Sequence, residues 1–171
     1  MALHFLTNTN QSFDIYITCD SDINASEENK RLYLKSRDTS LLEIGENATK
    51  VTLKPLGPAE REAAEIRAGA FTRDELGKFL YYEYLSFDDG LKRAKYHHDL
   101  DDSEKMALAK YEQYTNNVAL ETIRASLISI NDKPATLEQL QTIRPNAIRI
   151  QTITEIFNHV ITSSNIGDKG K

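Results

Sequence analysis

A single cysteine, Cys19, stands in a chain of 171 residues, so no intrachain disulfide can form. That excludes a small secreted fold held by bridges and points to a reducing compartment. Prolines number four and glycines seven, too few for a proline- or glycine-rich disordered chain. Gly57, Gly69, Gly77 and Gly90 each stand alone, so no glycine-rich loop is present to cradle a phosphate. No stretch approaches the roughly 20 apolar residues of a membrane span. Met1 to Asn10 also lacks the basic and then apolar order of a signal peptide. Positive charge is in deficit as well, with 21 Lys and Arg against 26 Asp and Glu and a net charge of -5. Binding to nucleic acid requires cations that neutralise phosphates, and here Arg61, Arg67, Arg73, Lys92, Arg93 and Lys95 alternate with acids. The expectation is a protein that binds neither nucleic acid nor membrane.

What remains is the composition of a folded protein, 40% hydrophobic and 27% charged, long enough to bury a core. Phe13-Asp14-Ile15-Tyr16-Ile17-Thr18 alternates apolar and polar residues and is rich in β formers, which predicts a strand. Arg31 to Lys35, Leu41 to Ile44 and Lys50 to Lys54 read as further short strands between polar turns. The pattern changes at Pro55-Leu56-Gly57-Pro58. Pro58 suits the first position of a helix, and Gly69 is placed to end it. Thr72 with Glu75, Asp101 with Glu104, and Thr136 with Gln139 have capping-box spacing, in which each side chain satisfies a free amide of the first turn. They predict helices over Thr72 to about Leu85, over Asp101 to about Ile128, and a short one ending before Pro145. A last helix is expected over Ala147 to Thr162, with Ile153, Phe157, Val160 and Ile161 on one face. The residues after Gly167 read as a mobile tail. The fold expected is α+β: a small antiparallel β part over residues 1–56, packed within one domain on a mainly helical remainder over residues 57–171.

Candidate chemistry is sparse. His97 and His98, near Asp99, Asp101 and Asp102, form the one cluster that looks like a metal site. Adjacent helical residues point about 100 degrees apart, however, and share an ion poorly. Asp88-Asp89-Gly90 lacks the alternating acids of a calcium loop and reads as a turn. Cys19 as nucleophile, with His4 or His159 as base, requires a proximity that nothing in the sequence supplies. The expectation is therefore no catalytic residue, no metal and no cofactor. The densest aromatic patch, Phe79, Tyr81, Tyr82, Tyr84 and Phe87, cannot all be buried on one helical stripe. Phe79, Tyr81, Tyr82 and Tyr84 are candidates for partner binding, since exposed tyrosines suit an interface. A helix covered on two sides would equally account for them.

Val51-Thr52-Leu53-Lys54-Pro55-Leu56 precedes an acidic helix, and Tyr111 through Ile130 reads as a helix that closes in Ile123-Arg124-Ala125-Ser126-Leu127-Ile128-Ser129-Ile130. Asn131-Asp132-Lys133-Pro134-Ala135, Leu137-Glu138-Gln139-Leu140 and a final amphipathic helix follow. This order over residues 50–171 resembles the small tail-assembly chaperones and related tail-region proteins of long-tailed bacteriophages. The resemblance implies a non-enzymatic protein of the host cytoplasm that binds tape-measure or tail tube proteins, with a homo-oligomer as a further form. Its alternatives are a structural component of the virion, at the tail or head-tail junction, and an inhibitor of a host protein.

Overall fold

The computed structural model describes residues 12–71, 74–75, 77, 95 and 98–165. These fall into two compact units, one built from the described parts of Met1–Glu65 and Ala119–Lys171 and the other from Ile66–Val118.

The first unit is built on a four-stranded antiparallel sheet of β1 (Phe13–Tyr16), β4 (Lys50–Leu53), β5 (Leu127–Ile130) and β6 (Lys133–Pro134), in the order β1-β4-β5-β6. Ile15 pairs with Val51, and Val51 pairs with Ile130, so the central strand joins chain segments far apart in sequence. Period-2 alternation sends Ile15, Val51 and Leu53 into the core. Asp14 and Thr52 turn to the other face, where the Thr52 hydroxyl donates to the Asp14 carboxylate at 2.7 Å. Asn131 and Asp132 adopt φ of 49° and 62°, and these left-handed conformations allow the tight β5–β6 hairpin.

Between β1 and β4 the chain inserts the ribbon strand β2 (Ile23–Asn24), helix α1 (Glu27–Ser36), a 3₁₀ turn at Thr39–Leu41 and the second ribbon strand β3 (Glu43–Ile44). The insertion has its own small core of Ile23, Tyr33, Leu42 and Ala48. After β4 come α2 (Pro58–Ala68), α3 (Asp102–Ser126), α4 (Leu137–Gln141) and α5 (Asn146–Asn165). Ile123, Leu137, Leu140, Ile156 and Val160 close the main core over Ile15, Val51 and Leu53. Each such aliphatic side chain contributes about 1.5–3 kcal/mol on full burial.

The α+β class expected from the sequence is the class observed. Three details are corrected. Arg31 to Lys35 lies in helix α1, because the Ser26 hydroxyl caps the Asn29 amide at 3.1 Å and Glu27 and Glu28 supply the acidic first turn. Leu41 to Ile44 divides between the 3₁₀ turn and the two-residue β3. The long helix stops at Ser126, short of Ile128. There the Lys54 amide donates to the Ser126 carbonyl at 2.9 Å and the Ser126 hydroxyl donates to the Lys54 carbonyl, so the following residues enter the sheet as β5. The β structure is thus not confined to residues 1–56.

In the second unit Gly69, with φ of 132°, ends α2 in a conformation that favours glycine. Phe71 packs edge-on against Tyr114 with ring centroids 4.5 Å apart, and Leu100 and Leu108 bury against each other. Lys110 pairs with Glu75 at 3.1 Å. Asp74, Glu75 and Gly77 are helical, as the Thr72 capping box predicts, and the rest of that segment lies outside the described residues.

Candidate functional site

In the first unit, β1 leads through Ile17 into a turn at Thr18, Cys19 and Asp20, which Asp20 holds in place. Its carboxylate accepts from the Asp22 amide at 2.9 Å, from the Thr49 amide at 2.9 Å and from the Thr49 hydroxyl. Burial acts to raise the Asp20 carboxyl. The bonds from Thr49 and Asp22 outweigh it and hold the group below its ordinary range. Asp22 extends the staple, since its carbonyl accepts from the Gly45 amide at 2.8 Å and its carboxylate from the Asn47 amide at 3.1 Å. A Cβ on Gly45 would lie 2.9 Å from that carbonyl, so only glycine permits this approach.

The stapled turn forms one lip of an apolar cleft of about 180 Å³. Its walls are Ile17, Val51 and Ile130 from the sheet and Leu140, Ile143 and Ile148 from the region of α4 and α5. Cys19, Asp20, Thr49, Gln139 and Thr152 line the rest, with the Cys19 thiol 3.6 Å from the Thr152 hydroxyl. Pockets for drug-sized molecules run about 300–1,000 Å³, whereas a cavity near 150 Å³ holds one benzene ring. The cleft therefore suits a single aliphatic or aromatic side chain. A second depression, about 390 Å³ and lined by Tyr16, Glu46, Asn47, Lys50 and Asp132, is polar, and its Lys50 and Asp132 pair with each other at 2.6 Å.

Among the described residues, those singled out in the sequence are not gathered into a catalytic group. Phe79, Tyr81, Tyr82 and Tyr84, together with His4, Asp88, Asp89 and His97, lie outside the described residues. His98 and Asp99 are exposed, and Asp101 accepts from the Glu104 amide at 2.8 Å as the cap of α3. Among the described residues no three metal-ligating side chains converge. Cys19 meets Thr152. His159 lies seven positions further along α5, about 10 Å away at 1.5 Å per residue, and cannot serve Cys19 as base.

Sequence reasoning missed a buried polar seam beside the cleft. Glu155, 4% exposed, accepts from the Thr18 amide at 2.9 Å and from the Thr18 hydroxyl at 3.1 Å. Burial raises its carboxyl above the ordinary range, opposed by those two bonds. His159, one turn later, is fully buried, neither ring nitrogen has a hydrogen-bond partner among the described residues, and its ring stands edge-on to Tyr33 at 5.6 Å. Burial, reinforced by the positive charge of Arg37, lowers the imidazole to about 4. Burial likewise pushes the Tyr33 phenol up to about 12. The signal available was the placement of Glu155 and His159 at i and i+4, between the inward-facing Thr152, Ile156 and Val160 of α5.

No protein-family model, curated protein or solved structure matches the chain.

Proposed function

We propose that the protein is a non-catalytic assembly chaperone of a long-tailed phage, which shields an apolar segment of a tape-measure or tail tube protein in the host cytoplasm. The observation that carries this reading is the apolar cleft, sized for one side chain and stapled open by Asp20 and Asp22. A client helix could seat a single anchoring residue there, as helix-in-groove partners do. The net charge of -5 would keep the complex soluble. The element order quoted above supports the phage context, with its long helix now ending at Ser126. Addition of a strand to the sheet, the route by which a virion component would build a tube, has less support. β6 is two residues long and contains Pro134, which has no amide to donate.

Cys19, the only thiol, sits at the cleft and serves as the reporter. The test reads the open reading frames beside the gene, where the proposal expects a tape-measure or tail tube protein, and co-expresses the chain with the protein found; neighbours of neither kind would overturn the reading. The expected result is client solubility that depends on the chain, slower maleimide labelling of Cys19 in the complex, and loss of both in Ile143→Glu. Clients equally soluble without the chain, or the chain at stoichiometric level in purified particles, would overturn the reading.

A further inference from the structure

β1 pairs with β4 from Phe13 to Tyr16, and the Ile17 amide, which donates to the Thr49 carbonyl at 3.2 Å, sets the antiparallel alternation so that the odd-numbered positions are the hydrogen-bonded pairs. The even-numbered amides therefore point to the outer edge, the side on which an uncovered strand invites another. Two of them are occupied by side chains from helices. The Tyr16 amide donates to the Tyr33 hydroxyl of α1 at 2.6 Å, and the Thr18 amide donates to Glu155 of α5. Helix α1 is held across this edge at its far end too. Arg37, its C-cap with φ of 59°, lies 4.8 Å over the Phe13 ring and donates to the Ser163 hydroxyl of α5 at 2.6 Å.

His159 is the weak point of that arrangement. A neutral imidazole carries one donor and one acceptor, and here both are buried against Tyr33 without partners among the described residues. Among the described residues, the charged and titratable groups of this seam are Tyr33 beside His159, Arg37 at the C-cap of α1, Glu155 on its own helix, Lys30 of α1 acting on Glu155, and Tyr16 of β1 acting on Tyr33. Arg37 repels a second cation. Glu155 is the one carboxyl among them, and its oxygens are committed to Thr18. An imidazolium thus finds neither a hydrogen-bond acceptor nor water unless α1 moves away.

We propose that α1 is an acid-released strap: protonation of His159 opens the seam between α1 and α5 and bares the outer edge of β1. The opening is local, because Tyr33 belongs to the small core of the insertion and Val51 to the main core.

The test follows the full chain by NMR from pH 7 to pH 5, reading the His159 ring shifts and the hydrogen-exchange protection factors of the Tyr16 and Val51 amides. For an imidazole at 6.5 when open and about 4 when closed, linkage gives an about twenty-fold loss of Tyr16 protection over that range. Val51 should keep its protection, and His159→Leu should hold Tyr16 protected throughout. The proposal is overturned if Tyr16 protection is constant, if it falls together with that of Val51, or if it falls equally in His159→Leu. Should that variant fail to fold, the unmodified chain still decides. An imidazole that titrates near 6.5 while Tyr16 stays protected refutes the strap.

Discussion

Replacing Glu155 tests whether its buried carboxylate holds α5 to the end of β1 and carries a charge at a cost. Glu155→Ala removes every acceptor of the Thr18 amide and hydroxyl in a site that is 4% exposed. An orphaned buried donor costs about 1–3 kcal/mol, and hydrogen bonds to a charged group contribute about 1.5–3 kcal/mol. Relief of the carboxylate's desolvation offsets part of this, so a net loss of about 2–4 kcal/mol is expected. Glu155→Gln keeps one oxygen to accept from Thr18 and discards the charge. The sign of its pH dependence follows from the raised carboxyl. The folded chain holds this proton more tightly than the unfolded chain, so the stability linked to it is complete below the ordinary value of 4.5 and is lost as pH rises through the folded value. Glu155→Gln lacks that loss and should gain on the unmodified protein as pH increases from 4.5 toward neutrality. His159 has the opposite slope, but both proteins carry it, so it largely cancels in the difference. Urea titrations at several pH values, compared at constant m, provide the measurement. Parallel stability profiles for the two proteins, or Glu155→Ala within about 0.5 kcal/mol of the unmodified protein, would refute the reasoning.

Asp20→Asn should destabilise the first unit by about 1–2 kcal/mol at neutral pH, because the charged acceptor for the Asp22 amide and for Thr49 is weakened. The lowered carboxyl supplies stability above its ordinary value near 3.8 that is lost as pH falls through the folded value, so the variant and the unmodified protein should converge in acid. A difference that persists unchanged there would remove the charge from the explanation. In the β5–β6 hairpin, Asn131 has φ of 49° and accepts from the Lys50 amide at 2.8 Å. Asn131→Ala should cost about 1–2 kcal/mol and Asn131→Gly less, since glycine keeps the left-handed conformation and loses only the side-chain bond. Equal thermal unfolding midpoints for the two variants would show that the backbone conformation is not what Asn131 provides.

The parts of this fold legible in the sequence are those decided within a few residues. Pro58 opening α2, Gly69 ending it, and the reciprocal bonds of Asp101 with Glu104 are local chemistry, and each lies where its spacing predicts. Arg31 to Lys35 misleads because Leu32 and Leu34 mimic a strand. The deciding signal is the cap at Ser26, and only Tyr33 turns fully inward. Leu127 to Ile130 misleads in the other direction. Its residues extend the helical periodicity of α3, yet β4 has an edge free to pair, and the match of Val51 with Ile130 outweighs one more helical turn.

The same distinction explains why the seam beside the cleft could not be read. Thr18 and Glu155 are 137 positions apart, and neither has local spacing that points to the other. What local pattern does show is two polar residues on the inward stripe of α5. On a core-facing helix such residues are either satisfied across the core or left at a cost. Glu155 is the first case and His159 the second. Because one turn of helix carries both, α5 is hydrogen-bonded to the end of β1 at Thr18 and, one turn later, meets α1 at Tyr33 through an imidazole without a hydrogen-bond partner among the described residues. The position of the weak contact, rather than the number of strong ones, selects α1 as the element free to move.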